Sequence, residues 1–291
     1  MLISRSPMRI TFLGGGTDYP AFFDKHGGSA VYATINKHVY VSTLDQPPFV
    51  EDKFRFTYRI TESVSAANQL KHPVVKEALN FFGWREPINI STMADLPGNS
   101  GLGSSSAFTA SLLHNLLTRR DACIRKRELA ELAIKVEREL LNEPGGWQDQ
   151  IATVYGGLRI INFSQNKFEV SESLANTDLV EYMRKRSVLI RVSSEREGME
   201  PARTNENSLH ESTVRARLEK LRNHSFELWE NLKRAKSTIE TYTLLQSATQ
   251  TAWKYKKNLG PQIITPTIKK YDDKFDSMGI SYYKLVGAGG G

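Results

Sequence analysis

The sequence predicts an α+β fold in two lobes. Three observations carry that reading. Strands and helices alternate without a regular βαβ period, glycine-rich turns follow several of the strands, and the second half opens on an apolar extended segment before two long helical stretches. Residues 2–13 read as a strand running into Gly14-Gly15-Gly16 and then Thr17-Asp18-Tyr19-Pro20. Residues 31–43 (VYATINKHVYVST) are rich in β-branched and aromatic side chains, hence extended, and Pro47-Pro48 breaks them. Residues 54–60 (FRFTYRI) alternate aromatic and polar as one half-buried strand. A helical stretch follows at 65–82, with its main part starting at Pro73, and then a period-two strand at 88–93.

A glycine-rich turn leads next into a helix of small residues from Ser104. Residues 126–141 (KRELAELAIKVERELL) carry apolar side chains at helical spacing with charges opposite. Asn142-Glu143-Pro144-Gly145-Gly146 ends that helix, a short one follows Asp149, and a strand is expected over 158–163. The second half is expected to hold a strand at SVLIRVS from Ser187, helices over 208–236 and 238–257, a helix between Pro266 and Met278, and a last strand over 280–286. There is no internal repeat.

Composition narrows the function classes. The 291 residues are 40% hydrophobic and 24% charged, and no apolar run reaches the roughly 18–20 residues of a membrane span. The N-terminus lacks a secretory pattern, so the expectation is a cytoplasmic chain with no membrane partner. One cysteine, Cys123, allows no internal disulfide, and six histidines without zinc spacing offer no metal cage. Of the net charge of +7, residues 184–236 supply +5 (13 basic minus 8 acidic). That surplus reads as a solvated face or as attraction for an anion. With no basic run interleaved with aromatics, no nucleic-acid partner is expected.

The chemical signal is the turn Pro97, Gly98, Asn99, Ser100, Gly101, Leu102, Gly103, followed by Ser104, Ser105 and Ser106. Glycines bring main chain close to a ligand, and the first amides of the following helix have no internal partner. Together with the helix dipole they make a phosphate-type anion site. Ser104 stands where a P-loop has lysine, the Rossmann spacing is absent, and no serine has the G-x-S-x-G elbow. A serine-capped helix start is the plainer alternative.

LPGNSGLGSSSA resembles the second motif of the GHMP kinases, usually P-x-x-x-G-L-G-S-S-x-A. SPMRITFLGGGTDYP is similar to their first motif and KLVGAGGG to their third, in the family's order. Within the family, SRSPMRITFLGGGTDYP with EPGGWQDQIATVYGGL most resembles the D-glycero-D-manno-heptose 7-phosphate kinase branch. The resemblance implies a ribosomal-S5-like N-terminal lobe over residues 1–183 and a ferredoxin-like C-terminal lobe over 184–291. It also implies that the C-terminal lobe is truncated after the third motif, where the family continues with a strand and helix. The implied activity is transfer of the ATP γ-phosphoryl group to the anomeric hydroxyl of that sugar phosphate. A kinase of another sugar, such as fucose, and a catalytically silent binding protein are the alternatives.

By the same resemblance, Asp149 faces the acceptor hydroxyl and Arg9 pairs with it, since a guanidinium favours an ionised carboxylate and stabilises charge on the transferring group. The plainer alternatives are a first-turn carboxylate that stabilises its helix for Asp149 and an edge-strand surface arginine for Arg9. Magnesium needs hard oxygens; Glu137 and Ser105 are the expected ligands, with Glu139 on another helix face. Gly14, Gly15, Gly16, Thr17, Asp18 and Tyr19 are expected at the sugar. Lys25, His26, Arg196, Arg203 or the Gly27-Gly28 amides are candidates for its phosphate. Trp147 could stack on the sugar or fill core.

Overall fold

A computed structural model describes residues 1–47, 49–98, 100–192, 212–258 and 263–287. Asn99, Arg196, Arg203 and the glycines after Gly287 lie outside them. The long antiparallel pair β1 (Leu2–Leu13) and β2 (Gly28–Asp45) forms the spine, joined by α1 (Pro20–His26). β1 follows one edge of β2. The other edge is shared end to end by β6 (Leu158–Ser164) over residues 28–33 and β5 (Ile88–Ala94) over residues 39–45. β3 (Phe54–Thr57) runs parallel to β5 and pairs with β4 (Thr61–Val64), while β7 (Lys167–Val170) pairs with β6. The register of β1 on β2 shifts between Pro7 and Arg9, a bulge at the point where the site is built.

Helices cover both faces of this sheet. α2 (Pro73–Phe81), α3 (Ser104–Arg119), α4 (Lys126–Ile134) and α5 (Gln148–Tyr155) lie on one side. α6 (Thr177–Arg184), α7 (Ser212–Arg234) and α8 (Thr238–Lys257) lie on the other. Pleat alternation explains the double burial: Ala30 and Tyr32 enter the cluster with α4 and α5, whereas Val31 enters the one with α7 and α8. α9 (Pro266–Ser277) packs Ile268 beside Trp253 and Ile263.

The α+β class stands, with local corrections. Residues 54–60 are not one strand, because the chain turns after Thr57 and returns as β4. Two elements carry weak sequence signals. β7 follows a two-residue turn in which Gln165 and Asn166 both have positive φ (43° and 58°), and α6 is capped by Asn176 accepting from the Leu179 amide at 2.8 Å. The two strands expected in the second half are absent among the described residues. Residues 187–192 run as coil with Val188 84% exposed, and residues 280–286 are coil as well. An extended segment becomes a strand only beside a neighbour that pairs its amides and carbonyls. Neither segment has one among the described residues, so no sheet is formed from them, and the regular elements described in that half are helices.

Residues 280–287 dock instead through side chains. Asp272 on α9 accepts from Trp253 Nε1 (2.7 Å), Lys257 Nζ (2.9 Å) and Tyr283 OH (2.5 Å). Burial alone would raise the Asp272 carboxyl; the bonds from Tyr283, Lys257 and Trp253 outweigh it and hold the carboxyl below its usual range. A depressed carboxyl adds stability that is full above the unfolded value and lost as pH falls through the folded one. Asp272→Asn is therefore expected to lose about 1–3 kcal/mol near neutrality. In thermal melts the gap from wild type should close as pH drops below about 4; a gap that widens in acid would remove Asp272 from this role.

Candidate active site

Arg9 emerges from the β1 bulge with its side chain almost fully enclosed (5% exposed). Its Nε and Nη2 donate to the two oxygens of Asp149 at 2.7 and 2.6 Å, a bidentate pair. Its Nη1 donates to the Gly101 carbonyl at 2.7 Å, and its amide to the Leu102 carbonyl at 2.9 Å. One arginine thus ties the catalytic candidate to the glycine-rich turn. Asp149 lies in the first turn of α5 with 28% of its side chain exposed, so a carboxylate edge reaches the crevice.

The turn itself is shaped by close approach. Gly101 has φ +73°, and a Cβ there would meet the Val286 carbonyl oxygen at 2.7 Å and Gly287 Cα at 3.1 Å. The second and third glycine motifs therefore lie backbone against backbone. Leu102 is 2% exposed and its side chain anchors the turn in the core. Pro97, Gly98 and Ser105 are exposed, while Ser100 keeps a buried hydroxyl without a partner. Gly103 caps α3, and the amides of Ser104, Ser105 and Ser106 begin the helix with no intrahelical acceptor. That edge is electropositive.

Glu137 lies on a π-helical stretch, Lys135–Leu140, that widens the end of α4. It is 1% exposed, whereas Glu139 is exposed. Oε2 of Glu137 accepts from Ser106 Oγ at 2.9 Å and from Gln150 Nε2; Oε1 is buried with no partner. The serine beside Glu137 is therefore Ser106, not the expected Ser105, which one residue earlier on the helix turns outward. A magnesium ion on nucleotide phosphates takes one or two protein oxygens and completes its shell with phosphate and water. A carboxylate with one free oxygen and an adjacent hydroxyl fit that demand. No group of three or more His, Cys, Asp or Glu side chains occurs among the described residues, so a protein-only cage is not offered there.

The first-motif turn faces inward more than expected. Thr17 is fully buried, its hydroxyl bonded to the Gly14 and Ser29 carbonyls and to the Ser29 amide, and Tyr19 packs in the apolar cluster with Phe22. Asp18 accepts from the Gly16 amide (2.9 Å) and the Gln148 amide (3.2 Å). Burial first, then the Asp149 charge, pushes the Asp18 carboxyl above its usual range against the pull of those amides. The surface of the turn is Gly15 and Gly16; Gly14 is buried. Thr17, Asp18 and Tyr19 build that surface rather than form it, because the turn must bury its polar groups against β2 and α5. A Cβ on Gly146 would stand 1.9 Å from Asp18 Oδ2. Gly146→Ala is expected to cost about 1–3 kcal/mol by overpacking and to weaken acceptor binding by displacing Asp18. Native melting and acceptor KM in that variant would show the approach to be unimportant.

Arg196 and Arg203 lie outside the described residues, and the other phosphate candidates are placed separately. Lys25 is exposed at the end of α1, His26 Nδ1 lies 3.3 Å from Glu219, and Gly28 is occupied in the sheet opposite Phe163. Trp147 packs edge-on against Phe23 at 4.9 Å, the core alternative. Sequence reasoning passed over Gln148, which donates to Thr11 Oγ1 (2.6 Å) and Asp149 Oδ1 (3.3 Å), and Lys284, which donates to the Thr11 carbonyl (2.6 Å). Both stand inside the quoted motifs: Gln148 adjoins Asp149 in the sequence, whereas nothing local to Lys284 signals its contact with β1.

An electropositive helix start, a carboxylate–guanidinium pair and a buried carboxylate with one unpartnered oxygen thus lie together on one α+β scaffold. Residues 66–157 match the family model described as GHMP kinases N terminal domain. Over 176 residues it is 29% identical to the D-glycero-alpha-D-manno-heptose 7-phosphate kinase of Campylobacter jejuni, covering 56% of this chain and 51% of that protein. A bifunctional fucokinase/GDP-fucose pyrophosphorylase of Arabidopsis thaliana is 24% identical over 98% of this chain and 28% of its own length. The chain thus spans about half, or less, of these curated relatives. In structure it is similar to a D-glycero-D-manno-heptose 1-phosphate kinase of Bacteroides thetaiotaomicron, with TM-score 0.72 and 21% identity over 88% of this chain and 79% of that one. No helix among the described residues is long and apolar enough to cross a membrane.

Proposed function

We propose that the chain is an ATP- and magnesium-dependent sugar-phosphate kinase that acts on the anomeric hydroxyl of D-glycero-D-manno-heptose 7-phosphate to give the 1,7-bisphosphate. The bidentate Arg9–Asp149 pair, held on the Gly101 carbonyl at the start of α3, is the observation that carries this reading. In this reading residues 1–183 are the lobe that carries these groups, and the described residues of 184–291 belong to the second lobe.

In this reading the ATP phosphates lie on the Ser104–Ser106 amides and the backbone of the glycine turn. Asp149 orients the sugar hydroxyl and takes its proton as the new O–Pγ bond forms and the bond from Pγ to the bridging oxygen of ADP breaks. Arg9 holds the carboxylate in place and stabilises charge on the moving group. Glu137 and Ser106 would hold magnesium, which neutralises phosphate charge when bound. Gly15 and Gly16 allow the sugar to approach the main chain. The Campylobacter relative supports the heptose acceptor, and the fucokinase relative makes fucose the competing one.

Release of ADP from Mg-ATP, measured with heptose 7-phosphate, L-fucose and D-galactose in parallel, decides among these. Heptose 7-phosphate should give by far the highest kcat/KM. Turnover of free fucose or galactose alone would replace the acceptor, and nucleotide binding with no turnover of any of them would mark a silent binding protein.

A further inference from the structure

The active-site contacts close into a ring. Arg9 joins Asp149 to the Gly101 carbonyl, and Gly101 lies against the backbone of Val286 and Gly287. From Val286 the chain runs back two residues to Lys284, whose Nζ donates to the carbonyls of Thr11 (2.6 Å) and Phe12 (3.4 Å) on β1. Thr11 Oγ1 accepts from Gln148 Nε2, which also reaches Asp149 Oδ1. Every link is a covalent, packing or hydrogen-bond contact, and Lys284 is the sole side chain by which residues 280–287 reach β1 in it. Lys256 on α8 fastens the same segment from outside, on the Leu285 carbonyl (3.2 Å) and that of Gly287.

We propose that Lys284 is a positioning residue for the reading given above: its ammonium locks the third glycine motif onto the end of β1, and so holds the phosphate turn and the acceptor turn at one fixed separation. The Thr11 and Phe12 carbonyls immediately precede Leu13 and the Gly14–Asp18 turn, so the two halves of the site meet at this ammonium. No carboxylate lies within ion-pair distance of Lys284 among the described residues; its partners are carbonyls alone. Burial, followed by the Arg9 charge, pulls its ammonium down to about 7. The other charged groups around the ring are Arg9 and Asp149, with Asp18 beside Gln148 and Lys256 behind the segment. Charge-assisted bonds are about twice as strong as neutral ones, so loss of this proton loosens the lock.

The test is Mg-ADP affinity of the full chain from pH 6 to 9 for wild type, Lys284→Arg and Lys284→Met, which needs no acceptor and so survives failure of the heptose reading. Wild type should weaken several-fold as pH rises through about 7, Lys284→Arg should stay flat over that limb, and Lys284→Met should be weak throughout. If Lys284→Met does not fold, comparison of wild type with the arginine variant alone carries the test. Parallel pH profiles for those two, or wild-type affinity in Lys284→Met, overturn the proposal. Should the affinity profile behave as expected while no sugar is phosphorylated, the lock stands and the kinase reading falls.

Discussion

Asp149→Asn should lower turnover by about 10²–10⁴-fold, the range for loss of a positioned proton acceptor, while Mg-ATP still binds. The substitution keeps shape and one acceptor oxygen toward Arg9, but replaces the second oxygen with an NH₂ that faces Nε or Nη2, now at 2.7 and 2.6 Å from the carboxylate. An enclosed guanidinium then confronts a donor instead of an acceptor. Part of the loss is therefore positional, and Arg9 should become more mobile. Asp149→Ala removes both oxygens and leaves the guanidinium unpaired, which destabilises the fold as well. Single-turnover kinetics alongside nucleotide binding separate the two effects. Turnover unchanged in the asparagine variant eliminates Asp149 from the chemistry, whatever its geometry.

Glu137→Gln should raise the magnesium concentration needed for half-maximal activity by about 10-fold or more, with a smaller loss at saturating metal. Glu137 is 1% exposed, and its Oε1 is the buried oxygen without a partner. Glutamine can still accept from Ser106 and Gln150 with its carbonyl, so folding should be nearly retained. What disappears is the negative charge and the free oxygen that a hard cation needs. Ser106→Ala should move the same titration in the same direction by less, and Ser105→Ala should leave it in place, because the Ser105 side chain points to solvent. Equal effects at Ser105 and Ser106 would mean that the metal sits elsewhere.

Much of this was legible in the sequence. The strand ending in Gly14-Gly15-Gly16, the glycine turn into α3 and the carboxylate after Gly145-Gly146 were readable because each depends on short-range chemistry. Glycine, proline, capping side chains and alternation act within a few residues. The pairing of Arg9 with Asp149, which the family motifs implied, is present in the bidentate geometry. The burial of Thr17, Asp18 and Tyr19 was not legible, since a polar turn reads as exposed until β2 and α5 close over it. Nor was the coil at residues 187–192 and 280–286, because apolar extended sequence does not say whether a neighbour is there to pair with.

Outside residues 54–64, 187–192 and 280–286, the chain's own residues determined the main element types, and with them the electropositive helix start and the supply of a carboxylate and a guanidinium. Only the tertiary structure decided that Ser106 rather than Ser105 meets Glu137, and that Lys284, some 270 positions from β1 in sequence, donates to the Thr11 carbonyl. Local propensity is set by neighbours along the chain, whereas a side chain's partner is set by which elements pack. A shift of one residue on a helix turns a side chain by about 100°, enough to carry a hydroxyl from the core to water.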